Sequence, residues 1–356
     1  MKKKLDYLDL LLKGFFLLTL FFISAFYSCV TQKAKPGKRN LSDKIQKSTL
    51  EQPFPLNTLK ARGLEFGRPD FSVLGDFVLF QARRFSEGNH HQLYLYDFKN
   101  HKSKLLFNTV GEHFDPVFSG NADSVLYVSS QDAAEKYFQF KKRSQIRRLN
   151  TSLYEYNFKK NTFVLLKESS GSIESPVVYP GSDYVIFSER HRTDFDLYYL
   201  NTKTLEKTML YQNAGDDRGA RVSPNGKRIV WQQELSSYKS KSFLLTANIS
   251  SSSGQGLKLT SVKTVTEADS YVGLAAWTRD SKYLLYSMLD KESSKFSIYI
   301  ADEKGRCRKK LVHNEANNIH PLLHPKQDLL LWASDRAGQG YDLYAAPVTA
   351  KMLSCQ

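Results

Sequence analysis

Eight histidines and three cysteines give this chain its widest chemical reach. His320 and His324 stand four apart around Pro321. On a helix that spacing aims two imidazoles at one metal ion. Here the proline and the surrounding apolar residues place the pair on a strand and its turn, which does not set i and i+4 as a helix would. His90 and His91 fall in a hairpin turn. There is no Cys-x-x-Cys and no Cys/His cluster, so neither a metal site nor a cofactor is expected. No Gly-x-Ser-x-Gly elbow supplies a hydrolase nucleophile. Acids recur at turn positions, where a structural role suffices, and no pair suited to glycoside hydrolysis stands out. The chain reads as non-catalytic. The alternative is an enzyme on saccharide or peptide, a polysaccharide lyase or hydrolase, which requires acids or histidines to converge at one point.

The most chemically distinctive segment lies between Asp132 and Asn150. It sets Tyr137, Phe138 and Phe140 beside Arg143, Arg147 and Arg148. Aromatic and arginine mixtures favour protein contacts, and long insertions are functional or disordered. The segment reads as a partner-binding candidate, with a solvated decoration as the alternative.

The N-terminus carries different chemistry. Lys2, Lys3 and Lys4 precede a mostly apolar stretch from Leu10 to Phe26, followed by Tyr27-Ser28-Cys29. This reads as a secretory signal over residues 1–28. A small residue just before a cysteine resembles a bacterial lipobox, which implies cleavage to leave Cys29 carrying lipid. Phe26 and Tyr27 depart from that pattern, and an uncleaved anchor or plain secretion is the alternative. Val30, in place of the retaining Asp, implies an outer-membrane lipoprotein facing the periplasm or the cell surface. Residues 29–57 are rich in Lys, Gln, Ser and Pro and read as a flexible tether. Cys307 and Cys355 remain, and an oxidising compartment permits a bridge between them.

The formal charge is +15. Behind a secretion signal this excludes nucleic acid as the natural partner. It fits anionic lipid, surface polysaccharide, an acidic protein face or simple solubility.

The elements that must position these residues come from a repeat. One phrase occurs six times, ending on Phe80, Tyr127, Phe187, Trp231, Tyr286 and Trp332. Two aliphatic residues precede each aromatic. A charged residue stands four before it: Asp76, Asp123, Asp183, Lys227, Lys282 and Asp328. Further upstream come Pro69, Pro116, Pro176, Ala220, Ala275 and Pro321. Strand, tight turn and strand explain the pattern. A third run follows each pair, such as Leu93-Tyr-Leu-Tyr96, and then a fourth, such as Phe163-Val-Leu-Leu166. Four antiparallel strands per unit, repeated six times, predict an all-β, six-bladed β-propeller over 58–356. Blades start near 69, 116, 176, 220, 275 and 321. The ring must close on itself. Residues 58–67 are favoured to supply the outer strand of the last blade, with 351–355 as the alternative. The six aromatics are expected in blade packing, which removes them from any site.

Ser223-Pro-Asn-Gly-Lys227 followed by Ile-Val-Trp resembles the core of TolB-type repeats, also called PD40 or WD40-like. Ala333-Ser-Asp-Arg336 with Asp342-Leu-Tyr344 resembles the second half of the repeat. The resemblance covers roughly residues 60–350. It implies a propeller in a bacterial envelope that works by binding a protein or peptide. TolB itself carries an α/β domain ahead of its propeller. Only a short tether precedes the first blade here, so a stand-alone lipoprotein form is expected and TolB's own partners are not carried over. A structural envelope component without a specific ligand is the third reading.

Overall fold

The structure, a computed structural model, describes residues 47–56, 64–84, 90–120, 123–132, 150–191, 193–235, 241–252, 256–266, 271–338 and 340–354. Cys29, Tyr137, Phe138, Phe140, Arg143, Arg147, Arg148 and Cys355 lie outside the described residues. Cys307 is disulfide-bonded.

Six four-stranded antiparallel sheets make a six-bladed propeller. The inner strands are Leu64–Phe71, His113–Phe118, Ile173–Val178, Asp216–Val222, Val272–Trp277 and Asn318–Leu323. They begin a few residues ahead of the expected blade starts. The second strands carry the apolar half of the phrase, for example Arg228–Glu234 and Leu329–Ser334.

The turn between them explains the phrase. Ser72, Ser223 and Thr278 accept from the backbone N–H five residues on, at 3.1, 3.0 and 3.0 Å. In blade 6 His324 does this job: its Nδ1 accepts from Lys326 N at 3.0 Å and Gln327 N at 2.9 Å. Its Nε2 then carries the proton and faces Gly75 O of blade 1 at 3.2 Å. Gly75, at φ +81°, leaves the space this ring needs.

All six phrase aromatics are buried. Five stack on or tilt against a tyrosine of the third strand: Tyr94, Tyr154, Tyr198, Tyr299 and Tyr344. In blade 4 Trp231 pairs with Leu245 and packs edge-on against Tyr211. Cross-strand aromatic pairs of this kind are worth up to ~1 kcal/mol each.

The N-terminal segment closes the ring, with residues ahead of the expected 58–67. Phe54–Pro55 pairs with the third strand of blade 6, Phe54 opposite Ala345 and Pro55 opposite Tyr344. Leu56 N continues the ladder to Leu343 O at 2.8 Å. Leu64 to Gly67 belong instead to the inner strand of blade 1. The tether expected to run to residue 57 therefore ends earlier. Ser48 is already buried and Leu50 packs on the core shared by blades 5 and 6.

Candidate functional site

The inner strands all break register once against their neighbours. The break falls between Gly67 and Asp70, Phe114 and Val117, Glu174 and Val177, Arg218 and Arg221, Val272 and Ala275, and Ile319 and Leu322. A bulge of this kind re-aims a side chain. The residues just ahead of the Pro/Ala position are Arg68, Asp115, Ser175, Gly219, Leu274 and His320. Arg68, Asp115, Ser175 and His320 have φ between 43° and 57°, and Gly219 has φ 67°. The four non-glycine residues each precede a proline, which ordinarily forces an extended backbone. Such strain costs ~1–3 kcal/mol per residue and clusters where side chains must converge.

They converge on the ring axis. Arg68 Nη1 lies 2.5 Å from Asp115 Oδ2 and donates to Ser175 Oγ at 2.6 Å. Asp115 Oδ2 also accepts from Ser175 N at 2.8 Å. Three blades are latched in this way. Opposite, Leu274 leans over Gly219 so closely that a Cβ there would sit 2.0 Å from Leu274 Cδ2. Arg68 Nη2 is 3.7 Å from the same point, although blades 1 and 4 are diametrically placed. The channel is thus closed at the bulge layer.

Beside this layer stand Asp70 and Arg221, next to its member His320. Burial lifts Asp70 to about 6, against the pull of the Phe118 N–H that its Oδ2 accepts at 2.9 Å. Burial, helped by the Arg68 guanidinium, lowers Arg221. Burial and Arg68 push His320 down to about 3, so its ring is neutral, and its Nδ1 has no partner among the described residues. His320 and His324 do not act together: one lies in the channel, the other in the blade 6 turn.

Strand alternation puts the starts of the inner and third strands on one face with the ends of the second strands. On that face Arg218 holds Glu174 and Asp216, each at 2.9 Å, and stacks 3.8 Å over Phe195. Arg190 covers the same ring at 4.8 Å. Burial raises Glu174 in spite of Arg218. Farther round, Glu112 is clamped by His91 Nδ1 at 2.8 Å, His91 N at 2.9 Å and His90 Nδ1 at 3.2 Å. Burial favours its neutral form, but the bonds from His91 and His90 outweigh this and hold the carboxyl at about 2. The hairpin pair His90–His91 therefore serves a carboxylate. Ser129–Gln131 and Thr151–Ser152, which bracket the 133–149 insertion, sit on the same face. On the opposite face a cleft of about 390 Å³ opens between blades 2 and 3, lined by Leu126, Glu155, Val178 and Asp183 among others.

Among the described residues no group of three or more His, Cys, Asp and Glu is placed to hold a metal ion. The channel layer was not legible as a site. Its six members differ in type and lie far apart in the chain. The only signal was the proline that follows four of them.

No protein-family model and no curated protein matches the sequence. Solved structures match in fold. TolB from Acinetobacter baumannii superposes with a TM-score of 0.54 at 14% identity, over 78% of this chain and 65% of that one, so the chain spans under two thirds of that TolB. A putative TolB from Agrobacterium tumefaciens gives 0.54 at 12%, over 80% and 91%. An oligogalacturonate lyase from Vibrio parahaemolyticus gives 0.53 at 12%, over 84% and 94%, and a gluconolactonase and a puromycin-hydrolysing peptidase share the fold as well. Identities this low speak for architecture alone. In architecture, the chain is a TolB-like six-bladed β-propeller.

Proposed function

We propose that this protein is a non-catalytic binding scaffold of the bacterial cell envelope, held through lipid on Cys29, that captures an envelope protein or peptide on the face bearing the 133–149 insertion. The observation that carries this reading is the commitment of the acids on and below that face. Asp115 is bound by Arg68, Glu174 and Asp216 by Arg218, and Glu112 by His90 and His91. General acid–base chemistry needs a group free to exchange a proton with substrate, and these carboxylates are spent on holding blades together.

Tyr137, Phe138, Phe140 and Arg143 supply the contact in this reading, and Arg147 and Arg148 add electrostatic steering. The enzyme alternative draws on the lyase, lactonase and peptidase among the fold's users. It requires an acid or histidine cluster beyond the paired ones described.

The test is crosslinking in intact cells with a tagged chain, followed by mass spectrometry, comparing the wild type with a deletion of 133–149. One stoichiometric envelope partner, lost on deletion while the melting temperature holds, is the expected result. Full capture by the deletion variant refutes the insertion as the site. The absence of any stoichiometric partner refutes the scaffold reading.

A further inference from the structure

The aliphatic residue just ahead of each phrase aromatic pairs with one residue of the third strand. In blades 1 to 6 that residue is Leu95, Glu155, Tyr199, Thr246, Ile300 and Ala345. The next blade brings the last residue of its inner strand to the same interface. Leu95 is set with Phe118, Tyr199 with Val222, Ile300 with Leu323 and Ala345 with Phe71, each pair within one apolar cluster. Thr246, itself buried, belongs with Trp277. At these five interfaces at least one member is large and apolar, so the layer is filled. Between blades 2 and 3 the pair is Glu155 and Val178, an acid and a small side chain. The cleft of about 390 Å³ opens there, lined by both.

Glu155 is half-buried, and its carboxylate has no hydrogen-bond or ion-pair partner among the described residues. The rest of the lining sets the chemistry of an occupant. Leu126, Val178 and Val185 give an apolar wall. Thr202 Oγ1 donates to Asp183 O at 3.1 Å and Ser182 Oγ to Tyr179 O at 3.0 Å. Both hydroxyls have spent their protons and present lone pairs to the cleft. Asp183 is already matched by Lys203, at 2.7 Å. Glu155 is therefore the uncompensated charge, and no lysine or arginine stands among the lining residues.

We infer that this cleft binds a primary ammonium carried on a methylene stem, the chemistry shared by a lysine side chain and a free alkyl diamine. An ammonium brings three N–H donors and no acceptor, the complement of a carboxylate and two hydroxyl oxygens. A charge-assisted bond to Glu155 holds the head, and the stem lies along Leu126, Val178 and Val185. An anion is repelled, and a neutral alcohol lacks the charge. The cleft is on the face opposite the 133–149 insertion, so this site stands independently of partner capture there.

Isothermal titration calorimetry on the full chain at low salt tests this, with 1,5-diaminopentane, Nα-acetyl-lysine amide and pentan-1-ol as probes. The two amines are expected to bind with Kd of about 0.1–1 mM, and the alcohol not to bind. Glu155→Gln, nearly isosteric, is expected to weaken both amines about tenfold or more. Val178→Phe introduces the residue of the same place in blade 2, fills the cleft and leaves Glu155 in place. It is expected to abolish binding while the melting temperature holds. Glu155→Leu introduces the blade 1 residue, and is expected to abolish binding and raise the melting temperature. Tighter binding of the lysine amide assigns the occupant to a protein side chain, and tighter binding of the diamine to a free diamine. No binding of either amine up to about 10 mM, equal affinity for pentan-1-ol, or full affinity in Glu155→Gln overturns the proposal. Full affinity in a folded Val178→Phe variant overturns the cleft as the site. Should that variant not fold, Glu155→Gln decides.

Discussion

Trp231 Nε1 donates to Asp217 Oδ1 at 2.8 Å, inside blade 4 and out of reach of water. The bond recurs in blade 6, where Trp332 Nε1 donates to Asn318 Oδ1 at 3.1 Å. The acceptor precedes its tryptophan by fourteen residues in both cases. An aspartate does in one blade what an asparagine does in the other. The aspartate does it at a cost, since burial raises its pKa to about 7 and its Oδ2 has no partner among the described residues.

A pH dependence follows. The folded pKa lies above the ordinary carboxylate value, so the unfolded chain gives up its proton first as pH rises. Stability is therefore lost between about pH 4 and pH 7, by on the order of 4 kcal/mol from this group. Asp217→Asn keeps the tryptophan bond and removes the charge. Its melting temperature is expected to exceed the wild type's at pH 8 by a few degrees, with the gap shrinking toward pH 4. Scanning calorimetry across that range measures it.

The acid limb has the opposite sign. Glu112, held at about 2, contributes stability above pH 4.5 that disappears as pH falls toward 2. His113, buried and bonded to Ser129 Oγ at 2.8 Å, is lowered to about 4 by burial, and its contribution is lost as pH falls from 6.5 to 4. Glu112→Gln is expected to cost roughly 1–3 kcal/mol at neutral pH and to flatten the decline below pH 4.5. Urea unfolding at pH 7 and pH 3 separates the two.

The seam between blades 6 and 1 rests on Gly75 and His324. Gly75→Ala would put a Cβ 2.2 Å from His324 Cε1, at a φ of +81°. A loss of about 2–4 kcal/mol is expected, from strain and clash together. His324→Ser restores the residue found at the same place in blades 1, 2 and 4, keeps a turn acceptor and frees the space. Combined with Gly75→Ala it should recover part of the loss. A double-mutant cycle reads the coupling.

The channel latch gives a fourth test. Arg68→Ala leaves Asp115 without its cation in a closed channel and is expected to cost about 3 kcal/mol. Adding Asp115→Asn removes the stranded charge and should recover most of it. Equal destabilisation of the single and double variants would show that the latch carries no electrostatic load.

The repeat made the fold readable, and Trp231 and Trp332 show why. Every blade must bury the same hairpin between two neighbours, so an aromatic and an aliphatic pair return six times and a side-chain turn acceptor recurs at the same place in blades 1, 4, 5 and 6. Histidines 320 and 324 were correctly placed on a strand and its turn for that reason. Ring closure was readable only as a choice between segments. The closing strand is Phe54–Pro55, too short to carry any alternation, and its position is set by the free edge of Asp342–Pro347.

The sequence by itself determined six blades, their strands and the residues that fill them, because packing inside a blade depends on neighbours a few positions apart. The tertiary structure decided what meets at the axis. Arg68, Asp115, Ser175, Gly219, Leu274 and His320 share no chemistry, and their one local signal is the proline that follows four of them. Each occupies the same bulge of a different blade, and only closing the circle brings the six side by side, where Arg68 can bind Asp115 and Leu274 can cover Gly219. The same holds for the blade 2 edge. Phe163-Val-Leu reads as one more apolar run, and it is exposed because the outermost strand of a blade has a neighbour on one side only.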